Sequence, residues 1–137
     1  MGYNITAVES TLRIPAEYLD EALLRFKALN HNPDVEKRGG SSTGEKWFSW
    51  MAPDYDQHVT SAREVLDDLG FYTEIDKDNG DVVVTGYDSK TGQEELFLDE
   101  IANLVDPDCY IIWVGEDLRT WAWTTDGRKD VTFTIVD

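Results

Sequence analysis

Cysteine is almost missing from this chain: Cys109 is the single one in 137 residues. An intramolecular disulfide and a cysteine-rich metal site are therefore excluded. Basic residues are scarce as well, 12 Lys and Arg against 28 Asp and Glu, a formal charge of −16. Such a surface repels nucleic acid and anionic membrane, so direct contact with either is not expected. Histidine occurs twice, as His31 and His58. No apolar run approaches the roughly 20 residues of a membrane-spanning helix. The start, Met1-Gly2-Tyr3-Asn4, has neither the basic nor the apolar region of a signal peptide. A reducing, cytoplasmic setting is the expectation.

What is present argues for a packed interior. The hydrophobic fraction is 41% and the aromatic fraction 12%, with five Trp, six Tyr and five Phe. That many rings in a chain of this length must be largely buried, since each hides a large area. One domain spanning residues 1–137 is expected. The acids are uneven: 12 against 7 bases in residues 1–68, but 16 against 5 in residues 69–137. Solubility alone accounts for such a surface; imitation of the charge of nucleic acid is the sharper reading, with halophilic adaptation or cation binding behind it.

The patterning predicts an α+β fold. Residues 5–14 mix β-branched and polar types like a half-exposed strand. Pro15 suits the first turn of a helix whose apolar stripe is Leu19, Ala22, Leu23, Phe26 and Leu29. Residues 30–46 are polar and Gly/Ser-rich, a loop long enough to be mobile or functional. Trp47–Met51 reads as a short aromatic strand. Val59, Ala62, Val65, Leu66 and Leu69 form a second stripe that Gly70 closes. Phe71–Ile75 and Val82–Tyr87 flank Asn79-Gly80, a hairpin signal. Thr91-Gly92-Gln93-Glu94 has capping-box spacing and opens a third helix, with Phe97, Ile101, Leu104 and Val105 facing inward. Strands over Cys109–Val114, Arg119–Thr125 and Val131–Val136 finish the chain, joined by turns at 115–117 and 126–129. The order β-α-β-α-β-β-α-β-β-β, rich in hairpins, implies a largely antiparallel sheet with three helices on one face. The β-α-β start leaves a parallel pair open.

Motifs for catalysis fail on inspection. Gly39 to Lys46 is superficially similar to a phosphate-binding loop, but Glu45 precedes Lys46 and Trp47 replaces the hydroxyl residue. Asp76, Asp78, Asn79 and Asp81 miss the glycine and glutamate positions of a calcium loop and sit between strands. The acid pairs Asp67-Asp68, Glu94-Glu95 and Asp99-Glu100 fall on polar helix faces, where a solvated surface explains them better than acid–base chemistry. The two histidines suit surface or structural roles, and Cys109 is a small filler in an apolar run. No enzyme activity, metal or cofactor is expected; a deep cleft lined by buried acids would revive an enzyme.

Two groups of residues stand as binding candidates. The acidic group is Asp76, Asp78, Asp81, Glu94, Glu95, Asp99, Glu100, Glu116 and Asp117. The aromatic group is Trp47, Trp50, Trp121 and Trp123, either core beneath the helices or an exposed patch ringed by acids. The run Tyr110-Ile111-Ile112-Trp113-Val114-Gly115-Glu116-Asp117, followed by Trp121-Ala122-Trp123 and Asp126-Gly127, resembles a pattern in small accessory proteins of bacteria, their phages and mobile elements. The resemblance implies an interaction protein and supplies no site residues. The expected partner is a basic or nucleic-acid-binding host protein, inhibited by charge mimicry as by anti-CRISPR or anti-restriction inhibitors. The alternatives are an immunity protein against a basic nuclease toxin and a purely structural domain. A homodimer stays open.

Overall fold

The computed structural model describes residues 3–40, 44, 46–48 and 51–130. The main sheet is entirely antiparallel over these residues, so the parallel pair left open by the sequence is not formed. Its strands are β1 (Asn4–Ser10), β2 (Arg13–Ile14), β5 (Phe71–Ile75), β6 (Val82–Lys90), β7 (Tyr110–Gly115), β8 (Thr120–Thr124) and β9 (Gly127–Asp130). A separate ribbon pairs β3 (Gly39–Gly40) with β4 (Lys46–Trp47) inside the polar loop. Both β1 and β2 run along one edge of β6, while β5 takes the other. The single strand expected over residues 5–14 is thus one path broken at Thr11-Leu12. Leu12 turns fully inward there, and its carbonyl accepts from Val84 N–H at 3.0 Å.

Three helices pack against the sheet: α1 (Leu19–Leu29), α2 (Ala62–Leu69) and α3 (Glu94–Glu100). The second has the capping chemistry its sequence implies. Ser61 Oγ accepts from Glu64 N–H at 3.1 Å, and Gly70 ends the helix at φ 111°, where a side chain would be strained. Helix α3 is shorter than its apolar spacing predicts, stopping at Glu100, yet Ile101 and Val105 remain buried in the turns that follow. Of the expected aromatic strand Trp47–Met51, Trp47 pairs as the end of β4; Phe48 and Met51 are buried, and residues 49 and 50 lie outside the described residues. Arg128 and Lys129, expected in a turn, belong to β9 instead. Gly127, at φ 110°, lets the chain reverse two residues earlier. The strand expected over Val131–Val136 lies outside the described residues.

One register row explains much of the core. Phe71, Tyr87, Ala7, Trp113 and Trp121 stand opposite one another across five strands. The small Ala7 side chain lets Tyr87 and Trp113 meet over it, ring centroids 5.1 Å apart. Phe71 stacks edge-on to Tyr87 at 5.0 Å, and Trp113 lies parallel to Trp121 at 6.5 Å. A second aromatic cluster, Phe26, Phe48, Tyr55 and Phe97, joins α1 to α3, and Tyr55 donates to the Phe26 carbonyl at 2.6 Å. Each buried ring contributes on the order of 2–3 kcal/mol by area alone.

Candidate functional site

Strand alternation sends Trp121 and Trp123 to the helix side of β8, where they are 4% and 1% exposed. The reading of these two rings as an exposed patch is corrected: they are core. Asp99 on α3 accepts from Trp123 Nε1 at 2.8 Å, which fixes the helix over the strand. One turn earlier, Glu95 faces the same way. Arg128 stands opposite Trp123 on β9, and its guanidinium lies over the Trp121 ring, 4.4 Å from the centroid.

Between these elements lies a half-open cleft of about 830 Å³, also lined by Tyr3, Arg38, Asp117 and Arg119. Its acids differ sharply in how far they are satisfied. Glu94, expected on an exposed polar face, is 4% exposed: one oxygen accepts from the Thr91 hydroxyl and the other from Gly92 N–H, both at 2.7 Å. The capping box expected over Thr91–Glu94 does not form: Thr91 N–H donates to the Tyr3 carbonyl at 2.7 Å, the helix starts after Gln93, and Glu94 reaches back to Gly92 N–H instead. Asp117 accepts from the Tyr3 hydroxyl and from Arg119 N–H, contacts that hold its carboxyl below the usual range. Glu95 is different. Its Oε2 is buried without a hydrogen-bond partner, and its nearest cation, Arg128 Nη1, is 3.9 Å from Oε1. Burial pushes its carboxyl above the ordinary value; Arg128 pulls it down, and Glu94 and Asp99 push it up.

The remaining candidates lie elsewhere. Asp76 and Asp81, at the β5–β6 hairpin tip, are both tied to Arg13, at 3.0 and 3.5 Å. Asp81 also accepts from Ala16 N–H at 2.8 Å. Asp78 is exposed there, Glu116 is exposed on the β7–β8 turn, and Glu100 is half-buried. Trp47 is half-buried on the small ribbon, apart from the two buried tryptophans. His31 and His58 pair with Asp56 at 2.7 Å and Asp54 at 2.9 Å. Cys109 is buried, its thiol pushed up to about 11 by burial and then by Asp106. Among the described residues no group of three or more His, Cys, Asp or Glu is placed to hold a metal ion. None of their helices is long and apolar enough to cross a membrane. Sequence reasoning missed Arg38, Arg119 and Arg128, because three arginines spread over 90 residues of an acidic chain form no motif.

No protein-family model, curated protein or solved structure matches this chain.

Proposed function

We propose that this chain is a non-enzymatic acidic interaction domain, of the phage or mobile-element accessory type, that occupies a basic site on a nucleic-acid-binding host protein in the cytoplasm. One observation carries the reading: much of the acidic surplus stands on the surface without a cation to neutralise it. Asp78, Asp88, Asp106, Asp108, Glu116 and Asp126 are all exposed, and among the described residues none has Lys, Arg or His within ion-pair distance. Three of them share one corner, where Thr125 donates to the Pro107 carbonyl at 3.0 Å and draws the β8–β9 turn beside residues 106–108. Fixed carboxylates of this kind steer a basic partner and repel an acidic one. Two of the hairpin-tip acids contribute less, since Asp76 and Asp81 already face Arg13.

The test is a pull-down from host lysate at low and at high salt. A dominant basic partner at low salt, lost at high salt, is expected, because exposed charges are screened beyond roughly 8 Å at physiological ionic strength. The triple change Asp106→Asn, Asp108→Asn and Asp126→Asn should weaken capture. Capture unchanged by salt and by the triple change would refute charge mimicry. A nuclease toxin as the captured partner would make the chain an immunity protein instead.

A further inference from the structure

We propose that the cleft beside α3 binds a small zwitterion through adjacent ammonium and carboxylate groups, as in an α-amino acid, with the ammonium on Glu95 and the carboxylate on Arg128. The cleft's volume of about 830 Å³ lies in the range of small-molecule sites, roughly 300–1,000 Å³. Its floor is core: Trp121 is 4% exposed, and Asp99 on the same rim is held by the Trp123 indole. A site built on such rigid elements needs little rearrangement to receive a ligand.

Unused hydrogen-bonding capacity identifies the ligand. Both oxygens of Glu94 are filled by Thr91 and Gly92, Asp99 holds the Trp123 indole, and Asp117 holds Tyr3. Glu95 alone among the cleft's carboxylates makes no hydrogen bond within the described residues: its Oε2 is shut in without a donor, so a ligand meets it through Oε1, the oxygen that faces Arg128. A carboxylate left unpartnered is costly, and a cationic donor is its strongest partner. Beside it, the Arg128 guanidinium is 3.9 Å away, too far for a hydrogen bond and close enough to share one ligand. An α-amino acid carries the same two charges, side by side and in the opposite order. Arg38 and Arg119 line the same cleft with side chains that form no ion pair among the described residues, so an additional carboxylate on the ligand is favoured over an additional ammonium. The inference does not rest on the basic-partner reading.

Calorimetric titration of the full chain with glycine, L-glutamate, L-lysine, acetate and methylamine tests it. Glycine and glutamate should bind in the millimolar range or tighter, with glutamate ahead of lysine. Acetate and methylamine, each half of the head group, should bind at least tenfold more weakly. Glu95→Gln should weaken glycine about tenfold or more while leaving near-ultraviolet circular dichroism unchanged. Arg128→Gln should do the same, and if it unfolds the chain, Arg128→Lys keeps the charge while losing the planar fork. No amino-acid binding at 10-millimolar order, equal binding of acetate alone, or glycine binding undiminished in Glu95→Gln would each overturn the proposal. Because Glu95 lies away from the 106–108 corner, partner capture should survive Glu95→Gln, so the two readings fail separately.

Discussion

Two arginine–carboxylate clusters in this molecule use the same chemistry to different ends. At the hairpin tip, Arg13 faces Asp76 and Asp81, and all four carboxylate oxygens are engaged: Arg13 takes one of each, and the N–H groups of Asp78 and Ala16 take the others. In the cleft, Arg128 faces Glu95 across 3.9 Å and one oxygen has no partner at all. The tip is a staple that joins β6 to the start of the first helical turn. The cleft pair is incomplete, and incompleteness in a buried place is where capacity for a ligand resides.

Substitutions can break or sharpen that contrast. The largest effect is expected at the cleft floor, where Trp121→Ala removes a ring that touches both Trp113 and Arg128. A loss of about 3–5 kcal/mol is expected in urea unfolding. A loss under about 1 kcal/mol would mean that the floor is not core, and the contrast would fall. Next comes Asp81→Ala, which leaves Ala16 N–H and one side of Arg13 unpartnered; about 1–2 kcal/mol is expected by the same measurement.

The smallest change is Glu95→Gln, within about 1 kcal/mol of the parent at neutral pH because no formed hydrogen bond is lost. Its value lies in the sign of its pH dependence. Asp76 is held below its ordinary 3.8, first by Asp78 N–H and later by Arg13, so its stabilisation is present above that pH and lost as pH falls through the lowered value. Glu95 is raised above its ordinary 4.5, so the folded state holds its proton longer and stability is lost as pH rises through that window. Unfolding curves from pH 3 to 7 should therefore flatten at opposite ends in Asp76→Asn and in Glu95→Gln. Parallel curves for the two variants would refute the assignment.

The elements were legible because periodicity and turn chemistry are local. The stripes of α1 and α2, the Asn79-Gly80 hairpin and the Gly70 stop all needed only neighbours in sequence. What escaped was set by packing. Nothing local marks Thr11-Leu12 as the break between β1 and β2, which follows from the side of β6 on which Leu12 is buried. Glu94 read as surface because a glutamate opening a helix usually is; the Thr91 and Gly92 donors that make its burial tolerable are visible only in three dimensions. The cleft escaped for the same reason, since Glu95 and Arg128 lie on different elements and neither is unusual alone.

The place of β1 also governs how the chain comes into being. Of the strands described, β1 is made before the others, yet it sits inside the sheet, flanked by β6 and β7. Ala7 has no neighbour until Tyr87 exists, and none on its other side until Trp113 does. At roughly 5–20 residues per second, that wait is on the order of ten seconds on the ribosome. During it, Ile5 and Ala7 are exposed apolar residues on an unpaired strand, the state most open to chaperones and to mispairing. Helices α1 and α2 can form meanwhile, but the sheet that covers them closes only once β6 and β7 have been made.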